Sequence, residues 1–391
     1  MVEVLIHAKK VDEMTLRQIE AISHHPVVKG LVAIMPDCHV GAGCVIGFTG
    51  RFEGGVIPNV VGVDIGCGVS AICLKGLRKD DVDFRDLDGY IRKNILLGMK
   101  HHKDKRALAI IQKTYPDWYE EMMDLAEKAE ISFYGHKVGK KVKIPPWSQY
   151  GTLGGGNHFI EIDQDPESEE LYIVVHTGSR HFGYDVANFF QKEAKALCKR
   201  KNLEFPAPGL EYLPFDQGGE EYMKWLVVAQ RYAELNRLAI LAIILKYWDK
   251  RIETDKIIQS VHNYINSRDG IVRKGAISAY KGEKVVIPLN MAEGVVLGTG
   301  KGNELFNYSA PHGAGRAHGR REMKRMLERG QITLEAFRKS MDGVFSTSIC
   351  KDTIDEAPMA YKSWEDIQDE LKETVEIEKI LKPVYNLKAP E

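Results

Sequence analysis

Short strand-like segments bounded by glycine recur through the first third of the chain and restrict its fold more than any other feature. Residues 30–34, 44–49, 60–63 and 69–74 each combine β-branched side chains with neighbouring turn formers. Runs of this length and composition predict β-strands. This part of the chain is therefore predicted to be sheet with many tight corners.

Helical and strand-like segments alternate through the rest of the chain. Helices are predicted at 116–130, about 220–248, about 320–328 and 364–381, and a buried strand at 171–176. Core packing explains the aromatic stripe of the 220–248 helix better than a cofactor does. Since no regular βαβ repeat is visible, we expect an α+β fold with mixed sheets and surrounding helices.

Composition limits the classes of function. The 391 residues are 44% hydrophobic, which permits a large core, and the net charge of -1 gives no global basic field. Any nucleic-acid contact must therefore be local. No apolar run approaches the roughly 20 residues that span a bilayer, so no membrane role is expected. Six scattered cysteines and the absence of a signal-like N-terminus favour the cytoplasm.

The chemically suggestive motifs are spread from residue 37 to residue 312, without internal repeats or low-complexity linkers. One site assembled from most of the chain implies one catalytic domain, residues 1–391.

Five candidate metal ligands stand beside glycine, at strand ends or among small polar residues: Asp64, Cys67, His158, His176 and His262. A lone histidine is more often an ordinary core or surface residue, which is the stronger alternative for His262, and Cys67 alone also suits a small buried hydrophobe. Together, thiolate, carboxylate and imidazole can hold a divalent transition ion, and a thiolate between two ions can bridge them. Ligand preference alone favours zinc over manganese at such a site.

A second constellation lies in SAPHGAGRAHGRREMKR, residues 309–325. Small residues after His312 let a phosphate approach the backbone, and Arg316 and Arg320 supply planar charged donors ahead of a predicted helix. A neutral imidazole is a competent nucleophile toward phosphorus. His312 as a metal ligand or general acid is an equally good interpretation of the chemistry.

The glycine-rich segment GTLGGGNHFIEI, residues 151–162, is neither a Walker motif nor a dinucleotide fingerprint. Alternation in an extended chain would place Asn157, Phe159 and Glu161 on one side and His158 on the other. A ring beside a carboxylate can hold a guanine, by stacking and by accepting from its N–H groups. Ordinary core packing explains Phe159 equally well.

Two further motifs add polar residues. HTGSRHFG, residues 176–183, offers Thr177, Ser179 and Arg180 as anion-binding candidates. Asp37, Cys38 and His39 are consecutive, so in a strand they cannot all face one site. We interpret these three as structural or supporting residues.

The blocks DIGCG, GGGNHFIE, HTGSR and HGAGR, in this order and at these separations, resemble the signature of the RtcB RNA ligases. The resemblance covers nearly the full chain, from MPDCHVGAG to the terminal LKPVYNLK. Several motifs in order are more specific than any one of them.

The resemblance implies an RtcB-like single large domain. It implies a ligase of RNA processing, tRNA splicing or RNA repair that joins a 3′-phosphate or 2′,3′-cyclic phosphate to a 5′-hydroxyl, with GTP as guanylate donor and two Mn²⁺ ions. An archease-like activator is a candidate partner.

It also implies roles for individual residues. Asp64, Cys67, His158, His176 and His262 would carry the metals, with Cys67 bridging, and His312 would be the guanylylated nucleophile. Asn157 would contact the guanylate phosphate, Phe159 and Glu161 the base, Arg316 and Arg320 phosphates, and Lys388 the nucleotide.

The chain departs from the family pattern at two places, as a divergent member would. Gly319 stands where relatives commonly have a serine, and PLNMAEG, residues 288–294, where they usually carry a Pro-Gly-Ser-Met-Gly segment. The alternative function is a metal-dependent RNA phosphodiesterase or phosphatase that has lost guanylylation, and a third is a non-catalytic RNA-binding relative. Retention of His312 and its arginines argues against both.

Overall fold

The computed structural model describes residues 2–389, and all elements below belong to that range. Strands and helices are interspersed along the chain, with several sheets and helices around them. The predicted α+β class with mixed sheets is confirmed. No helix in this range is both long enough and apolar enough to cross a membrane.

The strands are β1 (Val2–Ile6), β2 (Val28–His39), β3 (Ile46–Phe52), β4 (Gly55–Val56), β5 (Gly68–Cys73), β6 (Leu96–Leu97), β7 (Thr152–Gly154), β8 (Phe159–Gln164), β9 (Leu171–Thr177), β10 (Leu213–Pro214), β11 (Ile258–Val261), β12 (Asn263–Ile265), β13 (Ile271–Lys274), β14 (Ala276–Ser278), β15 (Lys284–Pro288), β16 (Val295–Gly300), β17 (Ser309–Pro311) and β18 (Val375–Lys388).

The α-helices are α1 (Glu13–Ser23), α2 (Pro58–Val61), α3 (Phe84–Asn94), α4 (Ala109–Thr114), α5 (Pro116–Lys128), α6 (Arg180–Lys201), α7 (Gly219–Leu245), α8 (Arg320–Glu328), α9 (Leu334–Ser340) and α10 (Trp364–Leu371). A π-helix, Ala129–Val138, continues α5.

Seven antiparallel strands form the larger sheet, in the order β11-β5-β9-β8-β18-β16-β15. The sheet curls until its edges meet, since the Val286 amide in β15 donates to Ser260 Oγ in β11 over 2.9 Å. Apolar side chains, among them Val69, Val174 and Leu297, fill the inside of the curl.

One end of this curled sheet collects residues from five strands. Gly68 of β5 pairs with Thr177 of β9 and with Val261 of β11, while Phe159 of β8 pairs with His176 and Lys388. The antiparallel register therefore brings strand starts and strand ends from distant parts of the chain to the same edge.

A second sheet has the order β1-β2-β3-β13-β12, and within it only β1 and β2 run parallel. Strand β13 continues through Gly275 into β14, which pairs with β17. In that pair Ala276 lies opposite Pro311. His312, the residue that follows β17, is therefore directed back toward the curled sheet.

Helix α7 is buried along most of its length. Tyr222, Trp225 and Tyr232 belong to the main hydrophobic core, which confirms core packing as the reason for the aromatic stripe. Its polar residues Asn236 and Arg237 are also buried. They hydrogen-bond to the backbone of the segments that carry the site, as described below.

Two predicted elements were wrong. Residues 60–63 were expected in a strand, but Pro58 starts the short helix α2, which ends at Gly62; proline at the first helical position presets the helical φ angle. Residues 364–381 were expected to form one helix, but α10 ends at Leu371 and β18 begins at Val375. Pairing of β18 with β16 and β8 outweighs the helix propensity of its charged residues.

Candidate active site

A cavity of about 300 Å³ lies at the end of the curled sheet, between that sheet and the segments around His312. This volume is at the lower limit for small-molecule sites. Of the twelve residues that were assigned a metal, nucleotide or catalytic role, eleven line the cavity: Asp64, Cys67, Asn157, Phe159, Glu161, His176, His262, His312, Arg316, Arg320 and Lys388. The anion-binding candidates Thr177, Ser179 and Arg180 do not line it. His158, the twelfth, contacts two of them directly.

The five predicted metal ligands form one continuous group, which we call the metal half of the cavity. Cys67 Sγ lies 3.5 Å from His158 Nε2 and 3.2 Å from His176 Nε2. Asp64 Oδ2 lies 2.9 Å from His158 Nε2 at one end, and His262 Nε2 lies 3.3 Å from His176 Nε2 at the other. Cys67 is therefore central, with imidazoles on both sides.

The orientation of the imidazoles fits a cation. Nδ1 of His158 lies 3.0 Å from the Leu153 carbonyl, and Nδ1 of His176 lies 3.2 Å from the Asn157 carbonyl. Since a carbonyl only accepts, both Nδ1 atoms carry hydrogen, and both Nε2 lone pairs point into the group. Nitrogen lone pairs beside a sulfur atom are a donor set for a divalent transition metal.

Burial favours the neutral forms of Cys67, His176 and His262. It raises the pKa of the Cys67 thiol well above its usual value, with Asp64 adding to the effect. Burial also lowers the pKa values of His176 and His262 well below the ordinary value. A bound cation would favour the thiolate, so the residues present fit a metal.

Glycine and α7 fix the backbone of the metal half. A Cβ on Gly178 would lie 2.1 Å from Asp64 Oδ1, so only glycine leaves room for that carboxylate. Gly66 has φ of +71° and packs against α7, where a Cβ would lie 2.9 Å from that of Ala233. Arg237 of α7 donates to the Gly66 carbonyl over 2.8 Å and to the Thr177 carbonyl over 3.1 Å.

His312 lies at the edge of the metal half. Its ring centroid is 5.1 Å from that of His262, and its side chain keeps 21% of its accessible surface. Nδ1 lies 2.7 Å from Oδ2 of the buried Asp37, close enough for a hydrogen bond but not aligned for one. The carboxylate thus favours the tautomer that carries hydrogen on Nδ1, which leaves the Nε2 lone pair available.

Phe159 and Glu161 line another part of the cavity. The Lys388 ammonium lies 5.3 Å from the Phe159 ring centroid, and Glu161 Oε1 is buried without a hydrogen-bond partner among the described residues. Burial raises the pKa of Glu161 to about 8, although the charge of Lys388 acts to lower it. An unpaired buried carboxyl at a cavity wall is suited to receive a ligand's N–H groups.

The opposite wall contains Arg316, Arg320, Tyr361 and Lys388, which contact Asp355 and Glu356 behind the cavity lining. We call these six residues the arginine half. Glu356 Oε1 lies 3.2 Å from Arg316 Nη1 and 3.1 Å from Arg320 Nη2. Its Oε2 accepts from Lys388 Nζ over 2.8 Å and from the Tyr361 hydroxyl over 2.6 Å. The three cations Arg316, Arg320 and Lys388 thus converge on the adjacent carboxylates of Asp355 and Glu356.

The two arginines are thus at the predicted place, with carboxylates as their partners in this structure. Burial alone would raise the pKa of Glu356, but the charges of Lys388 and Arg320 outweigh it and lower that pKa to about 2. The Arg316 guanidinium also stacks 4.8 Å from the Tyr361 ring centroid. These contacts fix the orientation of the arginine side chains.

Sequence reasoning missed Asp355, Glu356 and Tyr361. They follow no glycine motif, and Glu356 sits in a 3-10 turn, 351–356, that packs on α8. The only signal in the sequence was the adjacent pair of acidic residues, Asp355 and Glu356, which could balance the charge of the predicted arginines. Asp37 was interpreted as structural or supporting, and it does lie behind His312. His39, from the same motif, lines the cavity.

The two departures from the family pattern lie in different places. Segment 288–294 forms the turn between β15 and β16, and Pro288, Asn290 and Gly294 line the cavity. Asn290 Oδ1 accepts from the amides of Ala292 and Glu293. Gly319, by contrast, is exposed ahead of α8 and does not line the cavity.

Comparisons with known proteins agree with this geometry. The family described as tRNA-splicing ligase RtcB matches residues 18–389. The chain is 29% identical over 387 residues to the RNA-splicing ligase RtcB of Escherichia coli K12, covering 93% of this chain and 91% of that protein. It is 28% identical over 426 residues to the tRNA-splicing ligase RtcB of Pyrobaculum aerophilum, covering 92% and 87%. For the Methanococcus maripaludis protein of that name the identity is 27% over 429 residues.

Proposed function

The chain belongs to the RtcB family of tRNA-splicing ligases, and we propose that it joins an RNA 3′-phosphate or 2′,3′-cyclic phosphate to a 5′-hydroxyl through a guanylylated His312. In this proposal GTP is the guanylate donor, two Mn²⁺ ions are the metals, and residues 1–391 act as one catalytic domain. The cytoplasm is the proposed location.

The observation that carries the proposal is the place of His312. Its ring stands between the metal half, 5.1 Å from the His262 ring, and the arginine half, in the same cavity wall as Arg316. A nucleophile between a cation site and guanidinium groups is the arrangement that phosphoryl transfer requires.

Asp64, Cys67, His158, His176 and His262 would hold the two ions, with Cys67 between them. When bound, the ions would neutralise phosphate charge and help the leaving group depart.

In the first step, the Nε2 lone pair of His312 attacks the α-phosphorus of GTP. A nitrogen–phosphorus bond forms, the bond to the β-phosphate oxygen breaks, and pyrophosphate leaves. Asp37 favours the reactive tautomer and stabilises the positive charge that develops on the ring. Phe159 and Glu161 orient the guanine, Asn157 and Lys388 contact the nucleotide, and Arg316 and Arg320 bind phosphate oxygens.

In the second step, a terminal oxygen of the RNA 3′-phosphate attacks the guanylate, and His312 is released. The 5′-hydroxyl of the other RNA end then attacks the activated 3′-phosphate, and GMP leaves. A cyclic phosphate is first opened by water to give the 3′-phosphate. An archease-like activator is a proposed partner of this cycle.

Covalent labelling tests the proposal. The protein is incubated with GTP labelled at the α-phosphate and MnCl₂, and acid-labile label on the protein is measured. Wild type is expected to carry label that His312→Ala abolishes.

His318→Ala is the matched control, because His318 belongs to the same sequence block but pairs with Glu322 outside the cavity. It is expected to label like wild type. Absence of label together with hydrolysis of cyclic phosphate would favour the metal-dependent phosphodiesterase instead.

A further inference from the structure

Two lysine-rich segments stand out against the near-neutral composition of the chain. The first, 99–106, contains Lys100, Lys103, Lys105 and Arg106, and the second, 136–143, contains Lys137, Lys140, Lys141 and Lys143. All eight side chains belong to exposed residues. No aspartate or glutamate occurs between residues 131 and 160, and Asp104 of the first segment is paired with Arg106.

Both segments pack on the same scaffold. The His102 amide donates to the Ser148 carbonyl over 2.8 Å, and the Lys105 ammonium lies 5.8 Å from the Trp147 ring centroid. Thus the first segment lies on the 3-10 turn Pro146–Gln149, which directly follows the second in the chain. Lys137 of the second segment lies 5.9 Å from the Phe190 ring centroid in α6.

The first turns of α6 add aromatic surface between them. The His181 amide donates to Gln149 Oε1, which ties α6 to the 3-10 turn. The His181 and Tyr184 rings stack with centroids 5.9 Å apart and planes 20° apart. Tyr184 is 49% exposed, so one face of its ring is open to a ligand.

Hydrogen bonds connect the first lysine-rich segment to the loop that leads to the metal half. The Gly98 amide donates to the Gly154 carbonyl over 2.8 Å, and Arg180 Nη2 donates to the Gly98 carbonyl over 3.1 Å. Residues 155–157 run from Gly154 directly to His158. The first lysine-rich segment therefore begins beside the loop that carries a metal-half histidine.

We propose that the two lysine-rich segments and Tyr184, together the basic surface, bind the single-stranded RNA segment that leads into the cavity. Lysine and arginine would contact successive phosphates, which is the sequence-independent part of RNA binding. Tyr184 would stack on an unpaired base, as aromatic side chains do on single strands. The inference rests on the proposed function, since RNA is the substrate only if the chain is a ligase of this family.

Equilibrium binding of a short single-stranded RNA ending in a 3′-phosphate, without GTP, tests the basic surface. The triple variants Lys100→Gln/Lys103→Gln/Lys105→Gln and Lys140→Gln/Lys141→Gln/Lys143→Gln are each expected to weaken binding roughly tenfold or more, and to reduce the salt slope of log Kd by about 2.

The matched control is Lys199→Gln/Arg200→Gln/Lys201→Gln, which removes the same charge at the far end of α6, about 30 Å from Arg180. It is expected to stay within about twofold of wild type. Equal losses in the control and the two test variants would overturn the proposal, because they would show a response to net charge alone.

Tyr184→Ala separates stacking from charge. It is expected to weaken single-strand binding about tenfold and to leave duplex RNA binding unchanged, whereas Tyr184→Phe keeps the wild-type affinity. Unchanged single-strand binding in Tyr184→Ala would contradict the stacking role.

Guanylylation needs no RNA, so all surface variants should label like wild type. Failure of wild type to label would contradict the proposed function. The RNA-binding measurement would still show whether the basic surface binds single-stranded RNA.

Discussion

The two halves of the cavity differ in the charges that they collect. The metal half collects buried thiol, imidazole and carboxylate donors at the end of the curled sheet, and backbone carbonyls set the orientation of the His158 and His176 rings. The arginine half collects long cations around a buried carboxylate, next to a small separate core that includes Met323 and Phe337. The donors of the first converge on one another in a way that fits a cation, whereas the cations of the second are already paired with carboxylates. We infer that the metal half is preorganised, whereas the arginine half exchanges partners when phosphate binds.

The largest expected effect follows from removing the central donor of the metal half. Cys67→Ser should weaken Mn²⁺ binding more than a hundredfold, because replacing even an outer partner of a metal ligand costs about ten- to a hundredfold. Equilibrium dialysis with MnCl₂ measures it. Cys73→Ser, at the other end of β5, is the control and should bind like wild type. Equal affinity of Cys67→Ser and Cys73→Ser would exclude Cys67 as a ligand.

Removing the shared anion of the arginine half should cost folding stability. Glu356→Gln removes the carboxylate that Arg316, Arg320 and Lys388 share, although Arg320 keeps Asp355, and breaking a buried ion pair in this way costs about 3–5 kcal/mol. Urea unfolding measures the change in the free energy of unfolding. The exposed Glu328→Gln in α8 should change it by less than about 0.5 kcal/mol. If Glu356→Gln left the free energy of unfolding unchanged, Arg316, Arg320 and Lys388 would have formed other pairs.

The same variant has a defined pH dependence. The folded-state pKa of Glu356 is about 2, below the unfolded value of about 4.3. Its contribution to stability is therefore present above about pH 4.3 and is lost as the pH falls toward 2. The stability difference between wild type and Glu356→Gln should shrink over this window. A difference that stays constant down to pH 2 would contradict the lowered pKa.

Substitution of Glu161 tests the part of the cavity that Phe159 and Glu161 line. With a pKa of about 8, its carboxyl must ionise to accept guanine N–H groups, so wild-type GTP affinity should rise with pH up to about 8 and then level off. Glu161→Gln should bind GTP roughly tenfold to a hundredfold more weakly and without this pH dependence. Isothermal titration of GTP binding measures both. Glu167→Gln, an exposed neighbour beyond β8, should reproduce the wild-type curve.

The smallest effect is expected for Arg316→Lys. Lysine keeps the charge but loses the planar group that contacts Glu356 and stacks on Tyr361, at a cost of about 1–2 kcal/mol in the free energy of unfolding. Urea unfolding compares it with Arg325→Lys, an exposed arginine of α8. A loss as large as that of Glu356→Gln would show that the arginine half is as rigid as the metal half.

The metal half was predictable because short-range sequence motifs define it. Asp64 and Cys67 lie in one glycine loop, and His176 lies at the end of a strand that its apolar pattern predicted. His262 had no such signal, and an ordinary core or surface residue was the stronger interpretation for it. The helix at 320–328 was also predicted with its observed bounds.

The arginine half was not fully predictable, because its shape depends on contacts between distant segments. Glu356 reaches Lys388 only after α10 and β18 have folded against the curled sheet, and the first half of β18, residues 375–381, was predicted as helix. The pairing of Asp37 with His312 likewise joins residues far apart in sequence through the second sheet. Sequence patterns give local periodicity but not such long-range partners.

The central claim is that His312 is the nucleophile between these halves. Peptide mapping by mass spectrometry, after incubation with GTP and MnCl₂, tests it most directly. The account predicts one guanylate, attached to His312. A guanylate on another residue, such as a lysine, or a metal-loaded protein that binds GTP but carries no adduct, would contradict it.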